Sequence, residues 1–344
     1  MRILYLYAEI MGYQLPVFEE YTTMYDAEVH VVHWDHKKLT PYAIPYLKNV
    51  VFYNRSDFNY TKLVSLVKSI MPNIVYVSGW MDKDYLKVCT ELKSMGIPIV
   101  AGCDTQWKGS FRQIVASFLF RLTYKRSLSY IWVAGPYQFE YARKLGFNKS
   151  EIIFNCLSAD NNLFETAIGI RKKYPKNILF LGRLEEIKGI SCLLQAWGLI
   201  EDKKGWTLTF IGNGTLKNKI TNEENTIVKD FLQPYELALE IQNYGFLVLP
   251  SIKEPWALVI HEAMAAGIPV LASDVCGAAP VFIVPNYSGY IFKSNDVIDL
   301  TKMMKKVLEM TDFELKQMSN NAQTRSSVIS PKIVASSFMS ILNS

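Results

Sequence analysis

Two glutamates, Glu254 and Glu262, lie eight positions apart around the start of an apolar segment. Residues 258–266 predict a helix, and the first turn of a helix presents free backbone N–H groups to an anion. Carboxylates accept hydrogen bonds from hydroxyl groups. One carboxylate before the helix and one about a turn inside it could therefore bind two polyol parts of a ligand whose phosphates lie between them. The alternative is a capped surface helix with two solvated acids.

Two upstream segments carry groups that suit a diphosphate. The segment ILFLGRLEEIKG places Arg183 and Lys188 just after an apolar strand, where cations could neutralise a departing diphosphate. The segment LTFIGNGTL places Gly212 and Gly214 in a turn, where glycine lets the backbone approach a ligand closely. Each segment alone also fits an ordinary strand-to-helix connection. The order in which the segments follow one another along the chain is what makes the signal specific.

These segments, together with the block EPWALVIHEAMAAGIPV, resemble the GT-B glycosyltransferases of the retaining family 4 type, within glycosyl transferases group 1. The resemblance covers roughly residues 176–295. It implies an α/β fold of two doubly wound, Rossmann-like domains that face each other across a cleft. It also implies that Glu254 contacts hydroxyls of the donor sugar and that Glu262 contacts the nucleotide ribose.

The same resemblance assigns Arg183 and Lys188 to the donor diphosphate, and the backbone N–H groups near Leu258 and Val259 to its phosphates. Together with Gly212 and Gly214, these groups would bind a UDP- or GDP-sugar. The acceptor would be a hydroxyl of a glycan or of a lipid-linked glycan, as in bacterial surface-polysaccharide synthesis. We expect no metal and no other cofactor, because the sequence has no suitable cluster of acidic ligands.

Other activities on this fold stay open at this point. A sugar phosphorylase, an epimerase and a noncatalytic subunit that binds a sugar nucleotide would all need a similar donor site. The resemblance itself favours transfer with retention of the anomeric configuration, by front-face attack in which the departing phosphate takes the acceptor proton. No enzyme nucleophile is then required.

The first half of the chain departs from the family pattern at two positions. Asp104 follows a predicted strand, where family members often present a histidine near the donor sugar, so we expect a catalytic or sugar-orienting role or else a turn cap. Gly12 is the one glycine of the loop AEIMGYQLP after the first strand, and it is a candidate for acceptor or phosphate contact. In the second half, Ala257 stands where many relatives have glycine.

Short apolar runs alternate with helical patterns along the chain, as in parallel α/β proteins. A length of 344 residues suits two domains better than one core. We expect an acceptor-binding domain over 1–160, a nucleotide-sugar-binding domain over 161–330 and a final helix over 331–344 that crosses back to the first domain. The polar stretch 155–176 predicts a linker. The predicted strands are 3–7, 27–33, 50–53, 74–78, 97–101, 131–134, 152–154, 178–181, 207–211, 226–229, 246–249 and 269–272.

Cysteine usage and the N-terminal segment indicate a cytoplasmic protein. The five cysteines are scattered without a close pair, which favours buried thiols over a disulfide framework or a zinc site. The first residues, MRILYLYAEI, lack the long apolar region of a signal peptide. No uncharged apolar stretch reaches the ~18 residues of a transmembrane helix.

The segment 108–126 combines positive charge with an apolar helical pattern. No acidic residue lies between Asp104 and Glu140. The basic residues are Lys108, Arg112, Arg121, Lys125 and Arg126, and the apolar ones are Phe111, Ile114, Val115, Phe118, Leu119 and Leu122. This pattern is typical of helices on anionic membranes and predicts peripheral contact with the inner face of the cell membrane. The alternative is a helix that packs its apolar residues on the core. Nucleic acid is not expected as a partner, because the net charge of +5 is modest.

Histidines are weaker candidates for chemistry. His30, His33 and His36 repeat every three residues, but an extended strand sends His30 and His33 to opposite faces. A strand is therefore favoured over a metal site. On a helix, His261 points about 100° away from Glu262, which favours a packing role.

Overall fold

The chain forms two compact units, each built on its own parallel sheet. The computed structural model describes residues 1–35, 44–165, 174–221 and 223–343. The first unit consists of Met1–Ser158 with Pro331–Ser344, and the second of Ala159–Ser330. The α/β class with two doubly wound, Rossmann-like sheets, predicted from the alternation of strands and helices, is confirmed.

Within the described residues, the first unit contains a seven-stranded sheet. Its strands are β1 (Arg2–Tyr7), β2 (Glu28–His33), β3 (Val50–Asn54), β4 (Ile74–Val77), β5 (Ile99–Cys103), β6 (Tyr130–Val133) and β7 (Ile152–Ile153). They all run parallel, in the order β3-β2-β1-β4-β5-β6-β7. The side chains of β1 from Ile3 onwards and those of β4 are buried on both faces, because helices cover both sides of a parallel sheet.

Helices connect these strands, and three of the helices begin at polar side-chain caps. They are α1 (Leu15–Met24), α2 (Tyr60–Ile70), α3 (Lys83–Ser94), α4 (Phe111–Thr123) and α5 (Pro136–Lys144). The side-chain oxygens of Asn59, Asp82 and Ser110 accept hydrogen bonds from backbone N–H groups in the first turns of α2, α3 and α4. Such caps satisfy donors that have no partner inside the helix, and they set where each helix starts.

The second unit contains a six-stranded parallel sheet among its described residues. Its helices are α6 (Asn161–Glu165), α7 (Ile190–Gly198), α8 (Lys217–Thr221), α9 (Pro234–Glu240), α10 (Leu258–Ala265), α11 (Ala279–Phe282), α12 (Val297–Glu309) and α13 (Asp312–Ser326). Its strands are β8 (Asn177–Leu181), β9 (Thr207–Ile211), β10 (Thr226–Lys229), β11 (Phe246–Leu249), β12 (Val270–Ser273) and β13 (Gly289–Phe292). The strand order is β10-β9-β8-β11-β12-β13.

The last helix, α14 (Pro331–Met339), belongs to the first unit. Its Phe338 is fully buried among aromatic rings of that unit. The ring stacks on Trp132 at 5.1 Å between centroids and lies 5.6 Å from the ring of Tyr21. The C-terminal segment therefore completes the core of the first unit.

Each sheet has a point at which the strand order reverses. In the first sheet β1 lies between β2 and β4, and in the second sheet β8 lies between β9 and β11. Doubly wound sheets bind ligands outside the carboxyl ends of the strands at such a point. The loops after β1 and β4, and those after β8 and β11, are therefore the positions where a site is expected.

Two details of the second unit differ from the sequence prediction. The stretch 155–176, predicted as a linker, contains α6, whose Phe164 is buried; residues 166–173 of that stretch lie outside the described residues. Strand β13 was not predicted, because GYIF is short and begins with glycine. The structure requires this glycine, since a Cβ at Gly289 would lie 2.2 Å from the carbonyl oxygen of Val270.

Candidate functional site

The predicted donor residues of the second unit gather at its reversal point. Arg183 and Lys188 lie in the loop after β8, and Glu254 lies in the loop after the adjacent strand β11. Arg183 is exposed, whereas Lys188 and Glu254 keep only 17% and 10% of their side-chain surfaces exposed. Parallel pairing of β8 with β11 thus brings residues about 70 positions apart in sequence to one edge of the sheet.

Lys188 and Glu254 form an ion pair at this edge. Lys188 Nζ donates a hydrogen bond to Glu254 Oε2, and Ser251 Oγ donates to the same oxygen at 3.1 Å. The backbone oxygen of Glu254 also accepts a hydrogen bond from the N–H of Gly277, at 3.2 Å. The carboxylate is therefore oriented from both its side chain and its backbone. Groups held in this way are suited to binding a ligand without much reorganisation.

A glycine makes the contact between these two loops possible. Gly189 has φ of +75°, and a Cβ at this position would lie 1.8 Å from the carbonyl oxygen of Pro250. The N–H of Ile252 also donates to the carbonyl oxygen of Ile187, at 3.0 Å. The glycine after Lys188 therefore lets the loop after β8 lie directly against the loop that carries Glu254.

The two glycines of the GNG turn pack against the loop after β8. A Cβ at Gly212 would lie 2.0 Å from the oxygen of Gly182, and one at Gly214 would lie 2.4 Å from the oxygen of Leu184. The N–H of Leu184 donates to the oxygen of Asn213 at 2.9 Å. These glycines thus permit close contact between two loops of the protein, while the predicted contact with a ligand stays a prediction.

Helix α10 begins beside Glu254 in an unusual backbone conformation. Ala257, immediately before the helix, has φ of +79° and ψ of +74°, which lies in the left-handed region. L-residues with a side chain adopt this region at a cost, which explains why glycine suits the position. The helix then starts with Leu258 and Val259, both partly exposed. Their N–H groups have no partner inside the helix and are available to an anion.

Glu262 lies in the second turn of α10 and is partly buried. Desolvation raises the pKa of its carboxyl from the ordinary value of 4.5 to about 7. Burial has this effect because it penalises the charged form. A carboxyl with such a pKa changes charge close to neutral pH, and strongly perturbed carboxyls in clefts are frequently functional.

His261 fixes the position of α10. It is fully buried, its Nδ1 accepts a hydrogen bond from the N–H of Ala159 at 3.0 Å, and its Nε2 donates to the carbonyl oxygen of Ser326 at 2.9 Å. Its ring stacks on Phe282 at 4.3 Å between centroids. Desolvation lowers the pKa of the imidazole to about 4, so the ring is neutral at pH 7. The predicted packing role agrees with these contacts.

The candidates of the first unit lie in loops after its strands. Asp104 directly follows β5, its side chain is exposed, and its backbone oxygen accepts a hydrogen bond from Gln138 Nε2 at 3.1 Å. Partial desolvation raises the pKa of the Asp104 carboxyl. Gly12 begins a short turn after β1, at the reversal point of the first sheet. Their roles towards substrate stay predictions.

The histidine pattern of β2 belongs to the strand. His30 and His33 are buried, and His30 Nδ1 lies 3.1 Å from Tyr53 Oη. His36 lies outside the described residues. Among the residues that are described, no group of three or more His, Cys, Asp or Glu side chains is placed to hold a metal ion.

Comparison with known proteins finds a family match for the part of the chain that carries these residues. Residues 164–325 match the family model described as Glycosyl transferases group 1. An uncharacterized glycosyltransferase of Methanocaldococcus jannaschii is 31% identical over 207 residues, which cover 53% of this chain and 54% of that protein. Glycogen synthase of Mycobacterium tuberculosis is 30% identical over 143 residues, which cover 39% of this chain and 34% of that protein. The chain thus spans about half or less of the length of these relatives.

The fold extends beyond the segment matched in sequence. The crystal structure of Anabaena HepE in complex with UDP and glucose aligns with a TM-score of 0.73 and 17% identity, covering 100% of this chain and 99% of that one. The fold is therefore GT-B, and residues 164–325 match glycosyl transferases group 1. The resemblance of the sequence motifs to GT-B glycosyltransferases of group 1 is confirmed, while the assignment to the retaining family 4 type stays a prediction.

Proposed function

We propose that this chain is a glycosyltransferase that moves a sugar from a nucleotide-sugar donor to a hydroxyl of a glycan or lipid-linked acceptor. The observation that carries the proposal is the Lys188–Glu254 ion pair, which lies at the reversal point of the second sheet beside the start of α10. A cation, a carboxylate and a helix N-terminus at one edge match the parts of a sugar diphosphate: a charged leaving group and a polyol.

Each residue of the site has a defined role in the proposed complex. Arg183 and Lys188 neutralise the diphosphate, and the N–H groups of Leu258 and Val259 donate to its oxygens. Glu254 accepts hydrogen bonds from hydroxyls of the donor sugar. Lys188 would then lie between the diphosphate and Glu254, so that its charge serves both the leaving group and the orientation of the carboxylate.

Glu262 would accept hydrogen bonds from the ribose hydroxyls of the donor. Its position in the second turn of α10 places it about one turn, or about 5 Å along the helix axis, from the first-turn N–H groups. Accepting two hydroxyl donors favours the ionised carboxylate, so binding of the donor would lower the pKa that burial has raised.

The chemistry that we propose retains the configuration at the anomeric carbon and needs no metal. The bond between the anomeric carbon and the diphosphate oxygen breaks, and the bond to the acceptor oxygen forms on the same face. The acceptor proton moves to an oxygen of the departing phosphate, and a nucleoside diphosphate leaves. Fixed donors and cations that stabilise the developing charge are worth about 10²–10³-fold each in such sites.

The donor that we propose is a UDP-sugar, with a GDP-sugar as the alternative. HepE, which shares the fold, was solved with UDP and glucose, and this supports the first choice. The similarity to a glycogen synthase supports a role in polysaccharide synthesis. We place the enzyme in the cytoplasm, at the inner face of the cell membrane. No helix in the described ranges combines the length and apolarity of a bilayer-spanning segment.

The test begins with a thermal-shift screen of UDP- and GDP-sugars, because a ligand specific for the native state raises its melting temperature. The best donor is then incubated with candidate acceptor glycans, with and without EDTA. Nucleoside diphosphate released only with an acceptor, in amounts that EDTA does not change, is the expected result. Release of sugar phosphate that depends on inorganic phosphate would identify a phosphorylase. Interconversion of free nucleotide sugars would identify an epimerase, and binding without turnover would identify a noncatalytic subunit.

A further inference from the structure

Helix α4 turns its apolar side away from the core of the first unit. Ser117 and Phe120 are buried, and Phe120 packs edge to face on Trp80 with 4.7 Å between ring centroids. Large apolar residues of the same helix are instead 42–81% exposed: Phe111, Ile114, Val115, Phe118, Leu119 and Leu122. The alternative that this helix packs these residues on the core is therefore wrong.

The exposed residues form one continuous strip, which we call the α4 strip. At about 100° per residue, all six side chains fall within an arc of about 140° that lies opposite Phe120. The strip extends from Phe111 to Leu122, over about three turns. Isolated apolar side chains are common on protein surfaces, but a contiguous strip of this length indicates an interaction surface.

Positive charge surrounds the α4 strip. Arg112 and Arg121 lie on its two opposite sides, since they are about 100° and 280° from Phe111 around the helix. Lys108 precedes the helix and Arg126 follows it, and both side chains are exposed. No acidic residue occurs between Asp104 and Glu140, so this part of the chain carries one sign of charge.

Two of the five basic residues hold α4 on the unit. Arg121 Nε and Nη2 donate to the carbonyl oxygen of Lys144 at 3.0 and 2.8 Å. Lys125 forms an ion pair with Glu151 at 3.0 Å, and its Nζ lies 4.1 Å from the ring centre of Phe147. Lys108, Arg112 and Arg126 make no ion pair within the described residues, and their charges face solvent beside the strip.

We propose that α4 docks the first unit on an anionic lipid bilayer, with the α4 strip inserted at the boundary between headgroups and acyl chains. In this arrangement, Lys108, Arg112 and Arg126 contact the anionic headgroups. An exposed helix with aromatic residues along its apolar side and cations on both flanks has the form of an interfacial membrane helix. Charge complementarity selects anionic lipid, which attracts basic residues near the surface.

A second exposed apolar stripe supplies a contrast within the same protein. Phe231, Tyr235 and Leu239 are 47–66% exposed on and just before α9 in the second unit. Three acidic residues accompany that stripe, namely Asp230, Glu236 and Glu240, and lysines pair with two of them: Lys217 with Asp230 and Lys229 with Glu240. The stripe therefore has no excess of positive charge that would attract anionic lipid, and it should not bind the same vesicles. It offers a matched control for exposed apolar area without an excess of positive charge.

The experiment is co-sedimentation of the full chain with phosphatidylcholine vesicles that contain or lack 30% phosphatidylglycerol. We expect binding to the anionic vesicles only, and its loss in 1 M NaCl. The triple variant Phe111→Ser, Phe118→Ser, Leu122→Ser should bind at least tenfold more weakly. The triple variant Lys108→Gln, Arg112→Gln, Arg126→Gln should lose about fivefold per charge removed. The control Tyr235→Ser, Leu239→Ser should bind like the unaltered chain.

Several outcomes would overturn the proposal. They are no binding by the unaltered chain, equal binding to neutral vesicles, or full binding by the apolar triple variant with its melting temperature unchanged. A lipid-free dimer that this variant converts to a monomer, measured by light scattering, would show that a second copy covers the strip. The vesicle assay needs neither donor nor acceptor, so its result is independent of the proposed transfer reaction.

Discussion

Replacing Glu262 with glutamine tests both the electrostatics of the site and the proposed ribose contact. Burial raises the pKa of this carboxyl from 4.5 to about 7. Because the folded-state pKa is raised, the stability associated with the neutral acid is fully present below about pH 4.5 and is lost as the pH rises through 7. At about 1.4 kcal/mol per pH unit, the difference between these two pKa values corresponds to a loss of about 3 kcal/mol in the free energy of unfolding above pH 8.

The glutamine side chain has the same shape and never ionises, so Glu262→Gln should recover this loss. At pH 8.5 we expect the variant to unfold with a free energy up to about 3 kcal/mol higher than the unaltered chain. At pH 5 the gain should fall below about 1 kcal/mol, because most of the acid is already neutral there. The assay is urea unfolding at both pH values, followed by tryptophan fluorescence. Glu201→Gln, which replaces an exposed glutamate of the same unit, is the matched control.

The same variant should bind the donor more weakly, because hydroxyl groups then lose a charged acceptor. Hydrogen bonds to charged groups are worth about 1.5–3 kcal/mol, so we expect a loss of about 10- to 100-fold in affinity at pH 8. Donor binding by the unaltered chain should strengthen as the pH rises through 7 and the carboxylate forms. A gain in stability that is equal at pH 5 and 8.5 would refute the assigned titration, and unchanged donor affinity in a folded variant would refute the ribose contact.

Other substitutions test the loops that form the site. Lys188→Met should lower the rate of sugar transfer by about 10²-fold or more, since it removes a cation from the leaving group; steady-state kinetics showing a normal rate in the folded variant would reject the role. Gly189→Ala should destabilise the second unit by about 2 kcal/mol or more, because its Cβ would overlap the oxygen of Pro250. Gly198→Ala, with open space around the added methyl group, is its control and should not destabilise. Ala257→Gly should raise the unfolding free energy by about 1 kcal/mol, measured by urea unfolding, since it relieves a left-handed backbone conformation; a decrease would contradict that account.

Most of the strands were predictable because parallel strands covered on both faces are almost continuously apolar. Runs such as ILYLY and FLVL carry this signal within a few residues. Strand β13 was missed because its four residues start with Gly289, whose role is the close approach to Val270. Helix α6 was missed because polar residues surround its buried Phe164 in the sequence.

The donor-site residues were proposed from the sequence because each motif is local and its residue types match one chemistry. Their mutual contact was not visible there. Lys188 and Glu254 lie in separate motifs, and only the pairing of β8 with β11 brings them together. The raised pKa of Glu262 likewise depends on its burial in the folded chain, and the hydrogen bonds of His261 join it to Ala159 and Ser326, which are distant in sequence.

The sequence by itself determined the class of fold and the types of residue at the site. Both follow from short segments: apolar runs that alternate with helical patterns, and motifs with fixed spacing. The tertiary structure decided which groups meet and which faces are covered. Helix α4 shows why the sequence could not decide this: its apolar residues follow the same helical period whether they face a protein core or solvent. Only the position of Phe120 against Trp80 shows that the strip from Phe111 to Leu122 points outwards.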